Sequence, residues 1–286
     1  MRYEAPNSLD QAVALLVKES GDARVLAGGT DLLVQMRTDV LDPVLVVDIK
    51  GIAEMRQIKE EAGGFRIGAA VTGAELKEHP KLKSVWPGLV EAANLIGSTQ
   101  VQGRATMGGN LCNGSPAADS VPALIAAGAK ATIVGPKGRR DVPVEDVMLA
   151  PRKLSLTKGE IIASFLLPAK AAHTGDAYLR FIPRTEMDIA VVGVGVCLTL
   201  DAKGKCTAAR VSLGAVAARP LLVAPAAAAL IGSTVDEAAL QKLAAAASAA
   251  CRPIDDKRGT KEYRIKVAGV LARRAALIAL ERARKG

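Results

Sequence analysis

The sequence VLAGGTDLLVQMR, residues 25–37, contains the signals of a strand, a turn and a helix start in one short segment. An apolar run leads into Gly28 and Gly29, after which Thr30 or Asp31 can cap a helix. Glycines at such a turn let a ligand approach the backbone, and the N–H groups that open the helix attract anions. The segment therefore predicts a phosphate-binding loop, and a glycine pair that only turns the chain is the alternative.

A second glycine pair lies in the sequence ATMGGNLCNGSPAAD, residues 105–119. The pair, Gly108 and Gly109, follows the hydroxyl of Thr106 and precedes the amide of Asn110. Both of these side chains are suited to binding phosphate or ribityl oxygens. Two such loops in one chain predict a ligand that carries a diphosphate, although a simple turn stays possible for either loop alone.

Periodicity and capping signals predict the elements around the two loops. Strands are expected over residues 24–27, 44–49, 65–71, 130–134, 158–168, 190–200 and 207–213. Helices are expected after the caps Ser8, Thr72 and Asp119, over residues 89–96, and in the alanine-rich segments 223–231, 235–250 and 260–283. Pro80 is expected to end the helix that Thr72 opens. Residues 97–119 lack periodicity, and long irregular segments in compact domains are usually functional.

These elements predict an α+β chain with three parts. Residues 1–52 form a βαβ-like unit, and residues 53–172 form a middle domain that ends in a small, polar linker. Residues 173–286 combine a hairpin of antiparallel strands with helices. Within this last part, Gly193 and Gly195 lie inside a strand, which favours close backbone packing over a dinucleotide-binding turn.

Composition excludes several classes of site. The chain has only two histidines, so a His-rich zinc or iron centre is not expected. The four cysteines include no CxxC pair, and the seven scattered aromatic residues do not suit a base-stacking platform. The net charge of +9 could serve nucleic acid, an acidic membrane, or an anionic cofactor or partner. Because the basic residues form no long block, solvated faces or a protein interface are favoured over nucleic acid.

Standard catalytic and targeting signals are also missing from this sequence. It contains no GxxxxGK[ST] or GxSxG motif, and neither histidine has a recognisable nucleophile partner. A cofactor is therefore expected to supply any chemistry. The amino terminus lacks the apolar region of a signal peptide and no stretch is long enough to span a bilayer, so a reducing, cytoplasmic setting is expected.

Three separated segments resemble one known family. Residues 25–37, residues 105–119 and FIPRTEMDIAV at residues 181–191 together resemble the FAD-binding medium subunit of molybdenum hydroxylases. That family includes carbon monoxide dehydrogenase and the flavin portion of xanthine dehydrogenase. The similarity extends over nearly the whole chain, as far as the tail at residues 256–274.

The resemblance implies a set of FAD contacts along both loops. They are Leu26, Ala27, Gly28, Gly29, Thr30, Asp31 and Leu32 in the first loop, Thr106, Gly108, Gly109 and Asn110 in the second, and Ile96, Asp119 and Ile162 elsewhere. Ile96 stands where xanthine dehydrogenase has an aromatic residue near the flavin, and Val191 stands where a relative has a lysine. The residue that tunes the flavin ring is therefore not identified. Asp119 has two interpretations, a helix cap and an FAD contact, and the two roles can coexist.

The resemblance also implies an architecture and a function. The fold would be a two-part FAD-binding domain of the PCMH/vanillyl-alcohol-oxidase-like type, followed by a C-terminal antiparallel sheet with helices. FAD would be held by this chain, the molybdenum cofactor by a large partner subunit and the 2Fe-2S clusters by a small one, in a dimer of heterotrimers. Electrons would pass from the clusters through FAD to NAD, quinone or oxygen.

Two other functions are weighed against this one. The first is a self-contained FAD-dependent reductase or oxidase of the same fold, which would turn over substrate without partner subunits. The second is a basic adaptor or nucleic-acid-binding protein, which would bind DNA in a salt-dependent manner and have no affinity for flavin.

Overall fold

The computed structural model describes residues 1–286 and has the predicted α+β fold. Its first sheet consists of three parallel strands. In spatial order these are β1 (Arg2–Glu4), β3 (Leu45–Asp48) and β2 (Ala23–Leu26), connected through α1 (Leu9–Lys18) and α2 (Leu32–Arg37). The hydroxyl of Ser8 caps α1 as predicted, since its Oγ accepts a hydrogen bond from the Gln11 N–H at 3.3 Å.

The second sheet consists of five antiparallel strands. In spatial order they are β4 (Ile58–Glu61), β5 (Gly64–Gly68), β10 (Ile161–Leu167), β6 (Lys130–Gly135) and β7 (Gly138–Pro143). The helices of this region are α3 (Gly73–Glu78), α4 (Pro80–Val85), α5 (Pro87–Asn94), α6 (Thr99–Gln102), α7 (Met107–Cys112) and α8 (Ser120–Ala126). A separate small hairpin joins β8 (Met148–Ala150) to β9 (Lys153–Leu154).

The third sheet is a four-stranded antiparallel meander. Its strands are β11 (Thr174–Phe181), β12 (Val192–Leu200), β13 (Cys206–Gly214) and β14 (Leu221–Leu222). Three helices follow it in the chain, namely α9 (Ala224–Ala228), α10 (Glu237–Ala250) and α11 (Lys261–Lys285). None of the helices combines the length and the apolar character that crossing a bilayer requires.

The structure corrects two expectations about local structure. Pro80 does not only end a helix, because it also occupies the first position of α4, where its missing N–H costs nothing. The imidazole of His79 caps that helix, its Nδ1 accepting a hydrogen bond from the Leu82 N–H at 3.1 Å. Residues 97–119 are not irregular throughout, since they contain the short helices α6 and α7.

Two hydrophobic cores hold the molecule together. One lies under the first two sheets and their helices, and the other lies between the third sheet and the C-terminal helices. The two halves approach closely where β12 meets α8, because a Cβ at Gly195 would lie only 2.5 Å from the carbonyl oxygen of Pro122. The prediction of close backbone packing is therefore confirmed at Gly195, whereas a Cβ at Gly193 would meet the Tyr178 side chain, 2.5 Å from its hydroxyl oxygen.

Candidate cofactor site

The two glycine loops line one cleft with a volume of about 610 Å³. All of the implied FAD contacts line it except Leu26 and Asp119. The cleft residues predicted from the sequence are Ala27, Gly28, Gly29, Thr30, Asp31, Leu32, Ile96, Thr106, Gly108, Gly109, Asn110 and Ile162. The fold thus brings together loops that lie far apart in the chain. That these residues contact FAD stays a prediction.

The first loop presents unpartnered backbone donors. It begins where β2 ends, and the positive φ of +78° at Gly29 turns the chain into α2. The N–H groups of residues 28–31 donate to no protein acceptor. Consecutive free N–H groups in a turn form a concave site for anionic oxygens.

The second loop is held in shape by side-chain hydrogen bonds. The Oγ1 of Thr106 caps α7 by accepting from the Gly109 N–H at 2.9 Å. The Oδ1 of Asn110 accepts from both the N–H and the hydroxyl of Ser120, at 3.1 and 2.7 Å. The Nδ2 of Asn110 has no acceptor in the protein, so this amide keeps its donor end for a ligand.

The glycines of the two loops differ in how much space a side chain would have. A Cβ at Gly28 would overlap the carbonyl oxygen of Arg104, and a Cβ at Gly108 would overlap that of Ala69. At Gly109 the only close neighbour of a Cβ would be the Thr106 Oγ1, at 3.1 Å. The expectation that glycine makes room for a ligand is therefore corrected at Gly28 and Gly108, where it makes room for protein backbone.

Several cleft residues were not predicted from the sequence. Arg152 and Lys158 line the cleft and form no ion pair within the chain, so they add positive charge to it. Gln35 also lines the cleft and joins the two loops, since its Nε2 donates to the Oδ1 of Asn113 at 2.9 Å. No motif marks Arg152 and Lys158, because they reach the cleft only through the tertiary fold. Gln35 lies in the segment 25–37, but the glycine pattern of that segment does not single it out.

The cleft also contains a carboxyl group and apolar walls. Asp31 lies at the loop, where partial burial raises the pKa of its carboxyl above the ordinary value. Ile96 and Ile162 supply apolar surface. Val191 is fully buried in the C-terminal core and does not line the cleft, so its side chain is not placed to tune a bound ring.

Asp119 lies outside the cleft lining, at the junction with the third sheet. It precedes α8, but its side chain makes no capping hydrogen bond, so the helix-cap interpretation is wrong. Its carboxylate accepts instead from the Tyr178 hydroxyl at 2.9 Å and from the Arg180 Nη1 at 2.7 Å. Burial raises the pKa of Asp119 to about 6, although both donors act in the opposite direction.

The arrangement fits a dinucleotide cofactor. Free N–H groups on the first loop, the Asn110 amide and the cations Arg152 and Lys158 are suited to a diphosphate and its sugar hydroxyls. The apolar walls are suited to a flat aromatic ring. No group of three or more His, Cys, Asp or Glu side chains is placed to hold a metal ion.

Comparison with known sequence families gives two matches that together span most of the chain. Residues 1–170 match the family described as "FAD binding domain in molybdopterin dehydrogenase". Residues 177–279 match the "CO dehydrogenase flavoprotein C-terminal domain".

Individual relatives agree with these matches. The chain is 36% identical to the carbon monoxide dehydrogenase medium chain of Afipia carboxidovorans, covering 99% of this chain and 97% of that one. It is 32% identical to a putative xanthine dehydrogenase FAD-binding subunit of Escherichia coli, covering 92% and 90% of the two chains.

Solved structures show the same fold. A chain of reconstituted CO dehydrogenase from Oligotropha carboxidovorans superposes with a TM-score of 0.94 at 36% identity, covering 99% of this chain and 98% of that one. A chain of quinoline 2-oxidoreductase from Pseudomonas putida superposes with a TM-score of 0.90 at 30% identity, with the same coverage. The chain therefore belongs to the family of FAD-binding medium subunits of molybdenum hydroxylases.

Proposed function

We propose that this chain binds FAD in the cleft between its two glycine loops and serves as the flavoprotein subunit of a molybdenum hydroxylase complex. The observation that carries the proposal is the convergence of both loops on one cleft, with the N–H groups of residues 28–31 free of protein acceptors. Membership of the family supports the same conclusion, because relatives such as the xanthine dehydrogenase FAD-binding subunit are named for this cofactor.

Each part of the cleft would have its own task. The N–H groups of the first loop would hold the diphosphate, and the amide of Asn110 would donate to phosphate or ribityl oxygens. Ile96 and Ile162 would exclude water from the ring. FAD supplies the redox chemistry when bound, collecting electrons and passing two of them to NAD, quinone or oxygen. The protein would contribute position and electrostatics.

The complex would contain two further kinds of subunit. A large subunit would hold the molybdenum cofactor and a small subunit would hold the 2Fe-2S clusters, in a dimer of heterotrimers. The names of relatives support the presence of partner subunits, since a carbon monoxide dehydrogenase medium chain is by name one component of a larger enzyme. A cytoplasmic location accords with four cysteines that form no disulfide.

The chain would divide into the domains 1–52, 53–172 and 173–286. The three sheets support this division, because each is contained within one of the three ranges. Limited proteolysis tests it, with cleavage expected first near residues 169–173, which lie outside the strands that flank them.

The experiment that tests cofactor binding compares FAD with FMN. The purified full-length chain is titrated with each flavin while quenching of flavin fluorescence and the absorption spectrum are followed. FMN lacks the diphosphate bridge and the adenosine, so we expect clear binding of FAD and at least tenfold weaker binding of FMN. Equal affinity for the two flavins would contradict the assignment of the loops to the diphosphate.

A second experiment tests the assembly. The tagged chain is isolated from its native host, and its partners and total mass are determined. We expect two partner chains, one with molybdenum and one with iron and sulfide, in equal amounts with this chain. A chain that purifies alone and oxidises or reduces a substrate would instead support a self-contained flavoenzyme.

A further inference from the structure

Asn110 has an amide group whose two ends are chemically different, and the structure defines which end faces which partner. Its Oδ1 lies 3.1 Å from the backbone nitrogen of Ser120 and 2.7 Å from the Ser120 Oγ. A backbone N–H can only donate, so the atom it meets must be the amide oxygen. The NH2 group then takes the other direction, in a residue that lines the cleft, and has no acceptor in the protein.

Ser120 is itself held rigidly. It is the first residue of α8, and its side chain is fully buried. The preceding residue, Asp119, is bound by Tyr178 and Arg180 of β11 in the third sheet. Two consecutive residues at the start of α8 thus bind in two directions. Asp119 is hydrogen-bonded to the C-terminal sheet, and Ser120 is hydrogen-bonded to Asn110 in the second loop of the cleft.

We propose that Ser120 is a positioning residue, which fixes the Asn110 amide so that its NH2 group points toward the ligand. The inference rests on the proposed function, because it assumes that the ligand is FAD. Without the Ser120 hydroxyl, the Asn110 Oδ1 would keep only the longer hydrogen bond from the backbone N–H of residue 120, so the amide would be held less firmly with its NH2 group toward the phosphate and ribityl oxygens. Ser120 would thus affect FAD binding although it does not line the cleft.

Two variants test the two ends of the Asn110 amide separately: one replaces its NH2 group, and the other removes the hydroxyl that donates to its oxygen. Asn110→Asp keeps an oxygen for Ser120 but replaces the NH2 group with an anionic oxygen, so we expect FAD affinity to fall about a hundredfold. Ser120→Ala removes the 2.7 Å hydrogen bond to the Asn110 Oδ1 but keeps the one from the backbone N–H, so the amide is held less firmly and we expect a loss of about fivefold to tenfold. The matched control is Ser115→Ala in the same segment, where the lost hydroxyl accepts only from the Ala117 N–H. This control should leave FAD affinity within about twofold.

A double-mutant cycle distinguishes positioning from a general loss of structure. FAD affinity is measured for the full-length wild type, Ser120→Ala, Asn110→Ala and the double variant, each shown to be folded by circular dichroism. Because Ser120 acts through Asn110, Ser120→Ala should cause no further loss of affinity in the Asn110→Ala background.

The outcomes can be told apart. If the wild type binds FAD and Ser120→Ala binds it equally well, or if the two losses multiply in the double variant, the role of Ser120 is overturned while the proposed function stands. If the wild type binds no FAD, the proposed function is overturned and this inference with it.

Discussion

At the scale of single residues, we expect substitutions of the neighbouring glycines Gly108 and Gly109 to have different effects, one on the stability of the fold and the other on FAD binding. A methyl group at Gly108 would overlap the carbonyl of Ala69, whereas one at Gly109 would meet only the Thr106 Oγ1. We expect Gly108→Ala to lower the free energy of unfolding by about 2 kcal/mol through overpacking. Gly109→Ala should leave the free energy of unfolding within about 1 kcal/mol and weaken FAD binding, because Gly109 lines the cleft and a methyl group there would occupy part of its space.

Urea denaturation and FAD titration of the two variants check this prediction. Each variant serves as the control for the other, since both add one methyl group to the same short helix. Equal losses of stability would show that the close approach of Gly108 to Ala69 is not a constraint on the fold.

The kind of ligand that the two loops bind could be predicted from the sequence, but the protein contacts of individual loop residues could not. Glycines beside a hydroxyl and an amide indicate a phosphate or ribityl site from local pattern alone. The contact of Gly28 with the Arg104 carbonyl depends on how two distant loops pack, and no local pattern contains that information. For the same reason Asp119 could be interpreted as a cap, although its carboxylate binds Tyr178 and Arg180.

At the scale of elements, the helices α3 and α7 start side by side. Their cap residues, Thr72 and Thr106, form an antiparallel bridge, and the Gly73 N–H donates to the Ala105 carbonyl at 2.9 Å. Thr72 forms the predicted capping box with Glu75 and does not line the cleft, whereas Thr106 does line it. Thr72 therefore only stabilises its helix, whereas Thr106 both stabilises its helix and forms part of the cleft wall.

This difference predicts the outcome of removing each cap. Thr72→Ala should lower the free energy of unfolding by about 1 kcal/mol and leave FAD affinity unchanged. Thr106→Ala should cost a similar amount of stability and weaken FAD binding as well. Thermal unfolding and FAD titration measure both effects, and Thr72→Ser, which keeps the hydroxyl, is the control. A loss of FAD affinity in Thr72→Ala would contradict the conclusion that Thr72 affects only stability.

Capping patterns could predict helices, while short polar strands escaped prediction. The strands β1, β4 and β7 have the sequences RYE, IKEE and GRRDVP, which show no clear alternation of apolar residues. They belong to the fold because they pair with apolar neighbours in a sheet. The basic cluster of β7 is neutralised locally, since Arg139 pairs with Glu54 and Arg140 with Glu160.

At the scale of the whole molecule, buried polar contacts join the cofactor-binding half to the C-terminal half. Lys170 pairs with Asp176 at 2.7 Å, and Asp176 in turn accepts from the Leu89 N–H of α5 at 3.1 Å. Asp119 binds Arg180 across the same junction. Leu89 and Asp176 lie 87 residues apart, and Asp119 and Arg180 lie 61 apart, so the order of the elements could be predicted but these contacts could not.

Asp119 makes the stability of this junction depend on pH. Burial raises the pKa of its carboxyl to about 6, despite the opposing charge of Arg180, whereas an aspartate in an unfolded chain titrates near ~3.9. The native state thus binds the proton more tightly, and the contribution of Asp119 to stability is complete below about pH 4 and declines as the pH rises to about 6. Relative to Asp119→Asn, the free energy of unfolding of the wild type should fall over this interval by on the order of 3 kcal/mol. Urea denaturation of both proteins between about pH 4 and pH 7 measures the difference. Parallel profiles would show that the pKa of this carboxyl is the same in the native and unfolded states, and that Arg180 and Tyr178 fully offset its burial.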